Sequence, residues 1–355
     1  MTSVHVVVPD GIDDPARPSG GNLYDRHVCT GLASLGWSVH EHAVPGFWAR
    51  PDPVSLAGLA GLMQRIPDEA VVLLDGLIAS PAPAVLVPHA HRLRLVVLVH
   101  MPLGHRPADG EAEEVRTLEH AVLSAAADVV TTSSWSRRRL LELYALPGDQ
   151  VHVAEPGVDG AELVTGSPGG GALLCVAAVT FDKGHDLLID ALATISDLSW
   201  RCVCVGSLDR DSAFVGELRR RSVKLGLGER IEFAGPQTGA QLDRSYATAD
   251  LVVLASRAET YGMVVTEALA RGLPLVAADV GGVTEALGHG DHGVRPGLMV
   301  APEDARALGA TLRAWLCDQE LRERLRRAAR ERRESLRGWS TTTSVLAGVL
   351  AGAAG

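Results

Sequence analysis

The feature that most constrains the fold is an alternation that runs through the chain twice. Short β-branched runs, VHVVV (4–8), AVVLLD (70–75), LRLVVLVH (93–100), DVVTTS (128–133) and VHVAEP (151–156), are separated by stretches of helical period. Strands that are apolar on both faces and alternate with helices belong to parallel sheets covered on both sides. TGSPGGGA (165–172), the richest Gly/Ser/Pro cluster in the chain, then interrupts the pattern as a linker would. After it the alternation restarts with ALLCVAAV, WRCVCVGS, IEFAG, DLVVLAS and LPLVAADV, and helical runs lie between several of them. Each half therefore predicts its own doubly wound α/β domain, residues 1–165 and 170–337, facing across a cleft. At 355 residues the chain has ordinary length for two such domains.

Past about Pro302 the pattern becomes helical and charged (LRERLRRAARERRESLR, 321–337), a solvated face with i,i+4 pairs. One last helix is expected in GWSTTTSVLAGVL, capped by Ser340 or a nearby threonine. A formal net charge of −10 argues against nucleic acid as a partner. No basic leader and no apolar run approaching ~20 residues is present, so a cytoplasmic location is expected. The five scattered cysteines read as buried reduced thiols, Cys202 and Cys204 sharing one strand face.

The dinucleotide glycine fingerprint, the Walker pattern, the nucleophile elbow and the zinc helix are all absent. DRD (209–211) matches a three-residue metal pattern that arises often by chance. Two glycine turns matter more. PSGGN (18–22) lies between the first strand and a helix, so Gly20 and Gly21 allow close backbone approach to a ligand. FDKGHD (181–186) carries Lys183, one of two lysines among 33 basic residues, between a strand and a helix. A lysine there suits a phosphate, though an ordinary βα turn with a solvent lysine reads the same. In SRAETYGMVVTEALARG (256–272), Glu259 and Glu267 flank a helix N-terminus. Each can hold a vicinal diol, while the amides of Tyr261, Gly262 and Met263 can receive phosphate or sugar oxygens. Both glutamates could instead simply complement the helix dipole.

These residues resemble the retaining nucleotide-sugar glycosyltransferases of family 4, which have the GT-B fold. ETYGMVVTEALA resembles that family's E-x7-E motif and FDKGHDLLIDAL its KG motif. SGG, LVHMP, TSSWSRRRL, EPGVD, YATADLVVLAS and VGGVTEAL follow the family order along nearly the whole chain. The resemblance implies an N-terminal acceptor domain, with the final helix (338–355) packing back on it, and a C-terminal donor domain. It implies that Glu267 holds the donor ribose and Glu259 the sugar hydroxyls. Lys183 would neutralise the diphosphate, Gly20 and Gly21 would close over it, and His100 would face the reacting sugar. Tyr261, Gly262, Met263 and Val264 would line the donor site. Family members often carry an arginine five or six residues before the motif lysine; this chain has Ala177 and Ala178 there. Arg257 is the expected substitute, with Arg138 behind it.

The reaction so implied is hexosyl transfer with retention, without a metal or cofactor, from a UDP-glucose or GDP-mannose type donor. The acceptor is a small molecule, glycan or lipid, shaped by loops such as PGFWARPDP (45–53). A peripheral membrane contact would have only SRRRLLELY (136–144) to rest on. A phosphorylase, an epimerase or a non-catalytic sugar-nucleotide-binding subunit would use the same fold.

Overall fold

The computed structural model describes residues 2–48, 50–105, 110–290 and 293–354. Ala49, in the predicted acceptor loop, and Gly355, at the end of the predicted last helix, lie outside them. The chain divides into two compact units. The first comprises Met1–Asp13, Gly20–Gly157 and Gly338–Gly355, the second Asp14–Ser19 and Val158–Arg337.

The first unit is a parallel six-stranded sheet of order β2-β1-β3-β4-β5-β6. Its strands are β1 (Ser3–Pro9), β2 (Ser38–Val44), β3 (Val71–Asp75), β4 (Arg94–Val99), β5 (Asp128–Thr131) and β6 (Val151–Val153). The second unit repeats the architecture with order β12-β11-β10-β7-β8-β9. Here the strands are β7 (Ala172–Val176), β8 (Arg201–Val205), β9 (Ile231–Gly235), β10 (Leu251–Leu254), β11 (Leu275–Ala278) and β12 (Gly297–Val300).

The near-continuous apolar runs are explained by burial on both faces. In β10, Leu251 and Val253 enter one core while Val252 and Leu254 enter another on the opposite face. Two strands escaped the sequence pattern. β2 (SVHEHAV) is an edge strand whose side chains are mostly exposed or half-buried, so its residues alternate in polarity rather than running apolar. β12 (GLMV) is a four-residue edge that opens on a glycine.

The boundary between the compact units falls at Gly157/Val158, ahead of the Gly-rich cluster from which the sequence pattern took its 165/170 division. Residues 158–167 are tied into the second unit. Val158 N donates to Arg337 O at 3.0 Å, and Val164 N to Arg271 O at 2.9 Å. Ser167 Oγ donates to Asp250 at 2.7 Å. Backbone bonding, not glycine content, decides where one unit stops.

The last helix, Trp339–Ala354, belongs to the first unit and packs on the helix Gly20–Ser34 and on β3, β4 and β5. Gly31 allows the crossing, because a Cβ there would stand 2.3 Å from Thr343 Oγ1. The helix begins at Trp339, so Ser340 lies inside it and is not its cap. Instead Trp339 stacks on His27 with ring centroids 4.1 Å apart. Four of the five cysteines are buried and all are unpaired thiols; Cys317 is exposed.

Candidate functional site

In the second unit β7 leads to β8 on one side of the sheet, while β10 flanks β7 on the other. Loops leaving the C-terminal ends of two such strands diverge and open a crevice, the usual ligand position of a doubly wound sheet. Lys183 and Glu259 meet there. Lys183 ends the single turn Phe181–Lys183 after β7, and its Nζ donates to Glu259 Oε1, from the loop after β10, at 2.7 Å. Ser256 Oγ donates to the same oxygen at 2.8 Å. The pair is neither sealed nor free, with 29% of the lysine side chain exposed and 12% of the glutamate.

Glycines build this arrangement. Gly184 has φ +66°, and a Cβ there would lie 2.0 Å from the Ala255 carbonyl oxygen. Only a glycine lets the helix His185–Ala193 start so close to the end of β10. Gly281 has φ +57°, and its Cβ would fall 1.5 Å from the Glu259 carbonyl oxygen. The glycine pair after β11 is thus the floor on which the Glu259 loop rests; Gly282 N donates to Glu259 O at 3.2 Å.

The helix Met263–Ala270 follows, capped by Gly262 at φ +88°. Tyr261 is buried in the core, and Met263 and Val264 pack against that core. What these residues could offer a ligand is the first amides of the helix, those of Met263 and Val264, ahead of Val265 N, which donates to Gly262 O at 2.9 Å. Glu267 sits one turn in. Its Oε2 accepts from Tyr246 Oη at 2.8 Å. Burial raises the Glu267 pKa, with the Tyr246 hydrogen bond and the nearby Arg271 opposing it. Arg271 lies over the Tyr246 ring, 4.3 Å from its centroid, and donates to Glu267 O at 2.9 Å. Neither partner was assigned from sequence, although Tyr246 opens the YATADLVVLAS match.

Arg257, the expected substitute for the missing arginine, is held by Asp186 and the Phe181 carbonyl. Its terminal nitrogens grip both oxygens of Asp186, at 2.9 and 2.8 Å, and Nη1 also donates to Phe181 O at 2.7 Å. The guanidinium lies over the Phe181 ring and the side chain is 5% exposed. It braces the Lys183 turn against β10. Arg138 is exposed on the helix Ser134–Tyr144 of the first unit. The DRD segment resolves too: Asp211 caps the helix Ser212–Lys224, accepting from Phe214 N at 3.0 Å.

The first unit has its own switch point, between β1 and β3. His100 follows β4, and its Nε2 lies 2.8 Å from Asp25 Oδ1 on the helix Gly20–Ser34. Asp75, at the end of β3, completes a group whose ligand atoms all lie within 4.8 Å of one another. The ring rests on Gly21, where a Cβ would stand 3.2 Å from His100 Cδ2. Among the described residues this is the one grouping with metal-ligand composition. Its 2.8 Å contact is hydrogen-bonding distance, shorter than the ~3.3 Å that separates two ligands on a tetrahedral ion at ~2.0 Å bonds.

Cavities of about 710 and 600 Å³ lie elsewhere. The former is lined by residues at the N-terminal ends of β7–β9, such as Ala172 and Arg201, and the latter by β2 and the helix Pro53–Arg65. Neither contains a residue of these two clusters.

Comparison with known proteins decides the family. Residues 167–332 match the family described as Glycosyl transferases group 1. The D-inositol 3-phosphate glycosyltransferase 1 of Catenulispora acidiphila is 31% identical over 298 residues, 78% of this chain and 68% of that one. The chain belongs to the group 1 glycosyltransferases, family 4. The D-inositol 3-phosphate glycosyltransferase of Jonesia denitrificans is also 31% identical, over 263 residues; the match takes in 68% of this family 4 chain and 61% of that protein's length. Anabaena HepE, solved with UDP-glucose, superposes with a TM-score of 0.78 at 17% identity, covering 99% of this chain and 100% of its own. That likeness establishes the GT-B fold. Among the described residues no helix is long and apolar enough to cross a membrane.

Proposed function

We propose that this family 4 chain is a retaining, metal-independent hexosyltransferase using a UDP-glucose or GDP-mannose type donor. The observation that carries the reading is the meeting of Lys183 and Glu259 at the β7/β10 switch point, beside the N-terminus of Met263–Ala270. The lysine side chain there is part-exposed, and the helix amides add fixed positive partial charge. A diphosphate arriving at Lys183 Nζ would compete with Glu259 for it and release the carboxylate to accept from sugar hydroxyls. Glu267, oriented by Tyr246, would take the ribose diol. The names of the relatives support glycosyl transfer, and the UDP-glucose bound to HepE supports the donor class.

In this reading the bond from the sugar's C1 to the diphosphate oxygen breaks and its electron pair leaves with the diphosphate. The acceptor oxygen bonds to C1 on the same face, and its proton passes to the departing phosphate oxygen. The protein's contribution is electrostatic: Lys183 and the helix amides stabilise charge as it develops on the leaving group. His100 would serve the reacting sugar, and Gly20 and Gly21 would close over the donor.

The lack of arginine at Ala177 and Ala178 favours one second reading, a sugar-nucleotide-binding subunit without turnover. A thermal-shift series with UDP-glucose, GDP-mannose, UDP and GDP, followed by donor consumption with inositol 3-phosphate as trial acceptor, separates the two. Stabilisation by one nucleotide sugar with release of its nucleotide supports transfer. Stabilisation without consumption, for every acceptor offered, supports the subunit.

A further inference from the structure

The Asp25–Asp75–His100 cluster has an unbalanced charge ledger. Two carboxyl groups and one imidazole lie together, with Asp25 and Asp75 buried and the His100 side chain 18% exposed. Among the described residues no lysine or arginine pairs with either carboxyl. Among the described residues Asp25 Oδ1 lies 2.8 Å from His100 Nε2, Asp25 Oδ2 has no hydrogen-bond partner, and Asp75 accepts from Leu77 N at 2.8 Å. Two buried carboxyls whose oxygens lie within 4.8 Å of one another disfavour each other's charge, so one of them keeps its proton. The remaining carboxylate is then balanced only by a protonated ring.

Among the described residues the elements packed around His100 offer no other titrating partner. Tyr24 presents its ring edge, 5.1 Å away, and its hydroxyl donates to Ala154 O at 2.9 Å. Neither the helix Gly76–Ala79 nor the helix Trp339–Ala354 contains a titratable residue, and on neighbouring β5 Asp128 pairs with His152 at 2.7 Å. Burial opposes the charged imidazole, but the Asp25 charge and hydrogen bond, with Asp75 behind them, more than offset it and push the His100 pKa up to about 9. Burial and the Asp25 charge push Asp75 well above the usual carboxylate range.

We propose that Asp25 and Asp75 are positioning residues that hold His100 as a fixed imidazolium, so that the ring acts as a cationic hydrogen-bond donor and not as a base. With Nε2–H directed at Asp25 the ring cannot rotate without breaking a buried charge-assisted bond, and Nδ1 also carries a hydrogen. A cation fixed there would favour developing negative charge on the reacting groups and would leave acceptor deprotonation to the departing phosphate. That role rests on the transferase reading above; the protonation state does not.

The test is an imidazole ¹⁵N–¹³C NMR titration of the free protein from about pH 5 to about pH 10, with His100→Gln supplying the assignment. His100 is expected to stay protonated beyond pH 8 or so in the wild type. Asp25→Asn should lower its midpoint by about one to three units, and Asp75→Asn should move it less in the same direction. The alkaline limb of the kcat profile should follow the Asp25→Asn shift. A wild-type midpoint near the ordinary 6.5, or one that Asp25→Asn leaves in place, overturns the proposal. Should Asp25→Asn not fold, the wild-type midpoint and Asp75→Asn still decide it. A chain that titrates as expected but transfers no sugar would sink the transferase reading and leave the imidazolium standing.

Discussion

The two units place functional groups at the same topological position, the switch point of a parallel sheet, yet build opposite kinds of site. In the second unit the central pair, Lys183 and Glu259, is half-open and rests on glycines and helix ends. In the first, the Asp25–His100 pair is nearly sealed, and its polar groups answer one another. An ion pair that a ligand must displace cannot be deeply buried, because breaking a buried pair leaves an uncompensated charge. A group that must keep one protonation state profits from burial with its partners. On the proposed reading the second unit exchanges partners and the first fixes one.

The largest expected effect is that of Lys183→Ala. If leaving-group charge rests on this lysine, kcat should fall by about 10²–10³-fold while thermal stability changes little, since the pair is part-exposed. Steady-state rates beside a melting curve check this. Next comes Gly281→Ala, which forces a Cβ onto the Glu259 carbonyl at a left-handed φ. About 2–4 kcal/mol of stability should be lost, read by denaturant unfolding, or the Glu259 loop must move and donor binding fail with it.

Tyr246→Phe strips Glu267 of its hydroxyl donor inside the core. It should cost about 1–3 kcal/mol of stability, seen by denaturant unfolding, and weaken nucleotide-sugar binding by calorimetry. Unchanged binding would separate Glu267 from the ribose. The smallest effect belongs to Asp186→Asn. Burial opposes the Asp186 charge, but the Arg257 hydrogen bond and charge hold its pKa below the ordinary 3.8. A carboxyl so depressed contributes stability above pH 3.8, which is lost as pH falls through the folded value. The variant should lose below about 1 kcal/mol near neutrality and show less acid sensitivity between those two points, measured by melting temperature against pH.

The second unit's site was more legible in sequence than the first's. Lys183, Gly184, Glu259 and Glu267 sit in short motifs whose strand–turn–helix context fixes where they point. The partner of Arg257 was not legible, because closeness in sequence to Glu259 says nothing of direction: Asp186, three residues past Lys183, holds the guanidinium. Asp25, Asp75 and His100 come from a helix and two strand ends far apart in the chain, so only the sheet order brings them together. Asp25 reads as one more polar residue in an amphipathic helix. The one hint was Asp75, a carboxylate closing the otherwise apolar run VVLLD. The edge strands β2 and β12 escaped for a related reason, since burial on both faces, which makes inner strands visible, is missing at the edges.

The central claim is that the β7/β10 crevice holds a diphosphate on Lys183. Calorimetric titration of UDP, UDP-glucose, GDP and GDP-mannose into wild type and Lys183→Ala tests it most directly. One nucleotide pair should bind the wild type, and Lys183→Ala should weaken that diphosphate by ~10-fold or more while leaving the free nucleoside's weaker binding unchanged. Equal diphosphate affinity in the two proteins, or no nucleotide binding to the wild type, would contradict the account.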